Sequence, residues 1–91
     1  MKKTLHRYML GVKYQQIARE LYFYDMVPRY LWTREQKEKV VELLEQEAVL
    51  DQELAAYLIQ DRDEQGIRIF NNNKRNNALA LWDLKQELAT S

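Results

Sequence analysis

Apolar residues near the start of the chain repeat at the spacing of an amphipathic helix. At about 100° per residue they form one arc of a helix that we expect over residues 4–26, with Gln15, Gln16 and Arg19 on the opposite side. The arc consists of Leu10, Tyr14, Ile17, Ala18, Leu21 and Tyr24. Pro28 lacks a backbone donor and disfavours a helical conformation at the preceding residue. We therefore predict a turn over residues 26–32.

A second helix is indicated by a capping signal. Thr33 and Gln36 have the spacing of a capping box, in which each side chain bonds the backbone N–H of the other residue. We expect this helix to begin at about Arg34. It can continue to Gln65, because Gly66 suits the left-handed position that follows many helix ends.

This second helix has an unusually wide apolar arc, which is typical of a helix that contacts two neighbours or a partner chain. Its members are Val40, Val41, Leu43, Leu44, Ala48, Leu50, Leu54, Ala55, Tyr57, Leu58 and Ile59. Glu47 and Asp51 fall in the centre of the arc, where two unpaired carboxylates are costly to bury. We predict a break near Leu50, with Asp51 capping a further helix over residues 52–65. A buried functional acid pair is the alternative.

The last third of the chain begins with a short run that resembles a strand. Residues 67–70 alternate apolar and polar positions, and the asparagine-rich residues 71–77 favour a turn. The run is expected to be a linker, half of a hairpin, or an edge that pairs across a dimer. Asn77 is expected to cap a last helix over residues 78–89. The sequence thus predicts one all-α domain over residues 1–91: a compact bundle of three to four helices, with at most one short β-hairpin or edge strand near residues 67–70.

Composition excludes several kinds of chemistry. The chain has no cysteine, its one histidine is His6, and its one serine is Ser91. A single chain therefore cannot assemble a Ser-His or Cys-His nucleophile or a common catalytic metal site. Two isolated glycines exclude a phosphate-binding loop. We predict no enzymatic activity, no cofactor and no metal, and a cytoplasmic protein without a secretion signal or a membrane span.

The net charge of zero conceals a segregation of charge along the chain. Residues 1–34 carry seven Lys and Arg against two acids, whereas residues 35–65 carry three against ten. Oppositely charged helices packed side by side explain this simply. Nucleic-acid binding is the alternative, with Lys13, Arg19, Lys74 and Arg75 placed to neutralise phosphates. The acidic middle of the chain argues against it.

Residues 11–21 add a sequence resemblance to that alternative. The run GVKYQQIAREL resembles the first helix of a helix-turn-helix, in which a Gln-x-Ile-Ala-x-x-Leu pattern commonly precedes the turn. The resemblance implies a DNA-binding role. Tyr22 stands where the turn glycine is expected, and Pro28 would lie inside the recognition helix, so the pattern is not continued.

Aromatic residues are concentrated early in the chain: seven of the ten lie between positions 8 and 32. One helix face cannot bury them all. They either complete the core over the second helix or remain exposed as an interface, for which tyrosine, tryptophan and arginine are favoured types. The candidates for partner binding are Tyr22, Phe23, Arg29, Tyr30 and Trp32. We predict a small non-catalytic protein-binding module, a regulator, inhibitor or adaptor, whose wide arc over residues 40–59 serves core packing or a homodimer.

Overall fold

The computed structural model describes residues 2–90, with side chains from residue 5 onward. The described chain is all-α and contains no strand. Its three long helices are α1 (Lys2–Asp25), α2 (Arg34–Gln60) and α3 (Glu64–Thr90), and a short 3-10 helix (Arg29–Leu31) joins α1 to α2. The predicted helical bundle is confirmed, and within these residues it has three long helices.

Helix α2 lies between the other two helices. It packs against both α1 and α3, which make far fewer contacts with each other. The resulting body is elongated, with extents of 46 × 21 × 21 Å. Because α1 is held mainly along one side, its opposite side has no neighbour among the described residues.

The connection from α1 to α2 has the local structure that the sequence predicts. Helix α1 ends at Asp25, three residues before Pro28. The capping box is present: the Gln36 backbone N–H donates to the Thr33 hydroxyl at 3.2 Å, and the Thr33 backbone N–H donates to the Gln36 side chain at 2.9 Å. Two orphan donors at the start of α2 are thereby satisfied.

The end of α2 differs from the prediction. The helix passes through Asp51 without a break and stops at Gln60, so neither the break near Leu50 nor the extension to Gln65 is correct. The residue with a left-handed backbone is Arg62, with φ 55°, not Gly66. The Asp63 carboxylate instead accepts a hydrogen bond from the Gly66 backbone N–H at 2.9 Å. Asp63 therefore caps α3, and Gly66 lies inside its first turn.

Helix α3 is continuous over the residues where the sequence predicts a strand, a turn and a helix cap. Residues 67–70 are helical, so the predicted strand is wrong, and residues 71–77 are not a turn. Asn77 lies in the middle of α3 and does not cap a helix. Asparagine has only a weak preference against helices, and tertiary packing commonly overrides it. Here the packing is supplied by Leu84, two turns after Asn77, which is buried against α2.

The core consists of two clusters, one on each side of α2. The first joins α1 to α2 through Leu10, Ile17, Leu43 and Leu50. The second joins α2 to α3 through Val40, Leu44 and Leu84. Both clusters contact Leu21 and Tyr24, so the C-terminal part of α1 reaches both. This arrangement fixes which side of α1 is covered.

Candidate functional site

Helix α1 has large apolar side chains on both of its sides, but only one side is buried. Leu10 and Ile17 face α2 and are buried. On the opposite side, the large apolar side chains of α1 and of the residue that follows it are exposed, and we name this set the α1 outer face. It comprises Leu5, Tyr8, Met9, Val12, Tyr22, Phe23 and Met26. Between the two apolar ends, the same side carries the exposed Gln15, Gln16 and Arg19, so α1 is apolar on both sides only towards its ends.

Three of the predicted partner-binding residues lie in solvent. The side chains of Tyr22, Phe23 and Tyr30 are 65%, 71% and 84% exposed. Tyr22 and Phe23 belong to the α1 outer face, and Tyr30 lies on the adjoining 3-10 helix beside Leu31, which is also exposed. The structure thus places three aromatic rings at one end of the molecule. Exposed aromatic side chains grouped in this way favour an interaction site at that end.

The other two predicted residues hold the turn together. The Trp32 indole N–H donates to the backbone oxygens of Tyr24 and Val27, each at 3.0 Å, and its ring meets the Tyr24 ring edge to face. Arg29 is half-buried, and its guanidinium lies 3.4 Å from the Glu87 carboxylate on α3. Both side chains therefore have structural contacts within the chain.

The structure also adds residues that we did not predict as partner-binding. Tyr8, Met9 and Met26 lie on the α1 outer face, and Leu5 extends it towards the N-terminus. Their positions on the helical wheel opposite the core arc would have identified them. Trp82, on α3, is exposed as well. No equally clear signal marks Trp82, although it lies within the last helix that the sequence predicts over residues 78–89.

The four predicted nucleic-acid-binding cations are divided between two helices. Lys13 and Arg19 lie exposed on α1, and neither forms an ion pair with a described residue. Lys74 and Arg75 lie on α3, where the Lys74 charge acts on the buried Asp51 carboxyl. The four cations are thus divided between α1 and α3, and their role in binding nucleic acid stays a prediction.

Two buried carboxyl groups on α2 interact with polar side chains of α1 and α3, and we name the whole set the polar seam. It comprises Glu47 and Asp51, the half-buried Asn77 and Tyr14, and the exposed Lys74. Glu47 and Asp51 are only 3% and 4% exposed, and the Asn77 amide donates to the Glu47 carboxylate. Burial, and then the Asp51 charge, raise the pKa of Glu47 to about 7. Burial also raises the pKa of Asp51, against the opposing effect of Lys74. Burial and the two carboxylates raise the pKa of Tyr14 to about 12.

The polar seam does not resemble a metal centre. Within the described part of the chain, no group of three or more His, Cys, Asp or Glu residues is placed to hold a metal ion. Two carboxyl groups with raised pKa values and an amide can hold protons and hydrogen bonds. The α1 outer face is the larger accessible feature.

The helices were also considered as membrane spans, and the chain was compared with known proteins. None of the helices in the described residues is both long and apolar enough to cross a membrane. No protein-family model, curated protein or solved structure matches the chain.

Proposed function

We propose that this chain is a small non-catalytic protein-binding module, which acts as a regulator, inhibitor or adaptor by occupying a partner's surface. The observation that carries the proposal is the α1 outer face, where seven large apolar side chains are exposed on and directly after one helix. Tyr30 and Leu31 extend the surface at the C-terminal end of α1. The binding side chains of this surface are Tyr22, Phe23 and Tyr30.

The energetics of burial support this role. Removing one large apolar side chain from water contributes roughly 1.5–3 kcal/mol. Several such side chains are needed, because association costs about 4–15 kcal/mol in lost freedom of motion. Rigid rings with few rotatable bonds lose little entropy on binding, and tyrosine is enriched among the residues that dominate interfaces. A module of this kind works by affinity and stoichiometry, so no turnover is expected.

The proposal is tested by affinity capture from native cell extract. The wild-type chain is compared with the variant carrying both Tyr22→Ala and Phe23→Ala. A matched control is Trp82→Ala, which removes an aromatic ring of similar exposure from α3. We expect the double variant to lose the captured protein and Trp82→Ala to keep it, with both variants unfolding within a few degrees of wild type.

Nuclease treatment of the extract separates this proposal from nucleic-acid binding. If capture disappears after nuclease treatment or falls steeply with added salt, and charge reversal at Lys13 and Arg19 has the same effect, the cations carry the function and the proposal is wrong. Retained capture by the double alanine variant would also contradict it. A substrate turned over many times per chain would exclude a purely binding role.

A further inference from the structure

Along the helix, the α1 outer face is apolar at both ends and polar in the middle, so it reads the same in both directions. Its N-terminal part is apolar, with Leu5, Tyr8, Met9 and Val12, and its C-terminal part is apolar, with Tyr22, Phe23 and Met26. Between them the same side of the helix carries Gln15, Gln16 and Arg19, all exposed. An apolar, polar, apolar order lets two copies of the helix run antiparallel with like surfaces in contact.

The charges at the edge of this face follow the same symmetry. Lys13 and Glu20 are seven positions apart, two helical turns, and so lie almost in line along one edge. Both are exposed, and neither forms an ion pair with a described residue of its own chain. In an antiparallel pair of helices, equivalent edges face each other, so a two-fold axis between residues 16 and 17 sets Lys13 opposite Glu20 of the other copy. In a parallel two-fold pair the two Lys13 side chains would lie at the same height but on opposite sides of the interface, and Lys13 would not face Glu20.

The same axis gives a consistent set of apolar contacts. With the axis between residues 16 and 17, Met9 lies within about 1.5 Å along the helix of the position opposite Phe23 of the second copy, and Leu5 lies within about 3 Å of the position opposite Met26. The Gln16 side chains of the two copies lie close to the axis, where two amides can each donate and accept a hydrogen bond. The charge pairing therefore sets the register, and the apolar contacts are compatible with it.

We propose that a second copy of this chain packs on the α1 outer face, with the two α1 helices antiparallel and the two-fold axis near Gln16. This inference rests on the proposed function, because it names the partner of the same surface. The exposed aromatic rings of one copy cover the apolar N-terminal part of the other. The unmatched Tyr30 is left at each end of the paired helices for any further contact.

Charge reversal tests the register. Sedimentation equilibrium over a range of concentrations measures the dimer dissociation constant. Lys13→Glu places a glutamate opposite Glu20 of the other copy, and the two-fold symmetry repeats this pair. The dissociation constant should therefore rise roughly tenfold. The chain carrying both Lys13→Glu and Glu20→Lys should recover dimerisation to within about threefold of wild type. Arg68→Glu, which reverses an exposed charge on α3, is the matched control and should leave the dimer unchanged.

Disulfide trapping tests the orientation, since the natural chain has no cysteine. Gln16→Cys lies at the axis and should form a covalent dimer under oxidising conditions. Met9→Cys lies roughly 20 Å from its own copy in the antiparallel pair, at about 1.5 Å per residue, and should not. In a parallel pair Met9→Cys would lie at the same height as its own copy, so trapping through it would indicate a parallel arrangement.

The outcomes separate the two proposals. A chain that stays monomeric at every concentration, yet captures a different protein through Tyr22 and Phe23, overturns the dimer and leaves the protein-binding role intact. If Lys13→Glu leaves the dimer dissociation constant unchanged, or if Met9→Cys forms a disulfide-linked dimer, the antiparallel register is wrong. If no dimer forms and the double alanine variant captures what wild type captures, both proposals are wrong.

Discussion

Two regions of this molecule have side chains of unusual polarity for their location: the polar seam in the interior and the α1 outer face on the surface. The polar seam buries two carboxyl groups between α2 and its neighbours, whereas the α1 outer face leaves seven large apolar side chains in water. Residue polarity alone predicts the opposite location for both groups. The comparison shows that the number of helices available to cover a surface decides burial here. Helix α2 has a neighbour on two sides, and α1 has one.

The two regions should therefore affect stability in different ways. A buried carboxyl group must lose water, and this cost is paid within the monomer. An exposed ring is in contact with water both before and after folding, so it adds little to the free energy of unfolding. Perturbing the interior should change stability, and perturbing the α1 outer face should change binding.

The largest expected difference separates a buried leucine from an exposed phenylalanine. Leu84 is 1% exposed, and Leu84→Ala should lower the free energy of unfolding by about 3 kcal/mol, since it leaves a cavity between α2 and α3. Phe23→Ala removes a larger side chain yet should change it by less than about 0.5 kcal/mol. Urea denaturation, at a concentration where the chain is monomeric, measures both. A loss at Phe23 comparable to that at Leu84 would mean that the ring is packed.

The next effect is the pH dependence of the polar seam. The pKa of Glu47 is about 7 in the folded chain against an ordinary value of 4.5, so the folded state holds the proton more tightly. Its contribution is fully present below pH 4.5 and is lost as the pH rises towards 7. Glu47→Gln keeps the shape and removes the charge. It should stabilise the chain on the order of 2 kcal/mol at pH 8 and leave it nearly unchanged near pH 4.

Denaturation at a series of pH values measures this effect, with Glu45→Gln as the control. Glu45 lies on the same helix but is exposed and paired with Lys85 at 3.1 Å, so its substitution should alter stability by less than about 1 kcal/mol. The raised pKa of Asp51 should leave a shallower slope of the same sign in Glu47→Gln. An unchanged pH profile in that variant would show that water reaches the Glu47 carboxylate in the folded chain.

The two connections show how far the sequence specifies the fold. Pro28, Thr33 and Gln36 predict the first connection correctly, because each acts through backbone groups within three residues of itself. The second connection was missed, since Arg62 has no intrinsic preference for its left-handed backbone. Asp63, directly before the start of α3, is a local capping signal, but Gly66 competes with it as a signal for a helix end. A capping motif is therefore predictable from the sequence where no second helix-end signal lies nearby.

The candidate site was predictable to a similar extent. Periodicity on α1 indicates that the rings exceed what one face can bury, and Tyr22, Phe23 and Tyr30 are indeed exposed. That they form an interface stays a prediction. The internal roles of Trp32 and Arg29 depend on where Tyr24 and α3 lie in space. The sequence offers a buried acid pair as the alternative to a break in α2, and Glu47 and Asp51 are both buried in an unbroken helix. The contributions of Asn77 and Lys74 were not predictable, because residues 71–77 have the composition of a turn.

The smallest effect compares the two glycines, one beside the exposed surface and one at the α3 cap. No atom outside its own helical surroundings lies within 4 Å of the place where a Cβ at Gly11 would stand, so Gly11→Ala should gain about 0.5–1 kcal/mol from helix propensity alone. A Cβ at Gly66 would collide with the Asp63 carboxyl group, and the cap would be displaced. Gly66→Ala should therefore be less stabilising than Gly11→Ala by about 1 kcal/mol. Thermal unfolding of dilute protein measures the difference in stability. If Gly66→Ala stabilises the chain as much as Gly11→Ala does, the Asp63 cap contributes nothing. If Gly11→Ala destabilises the chain, this side of α1 is already covered.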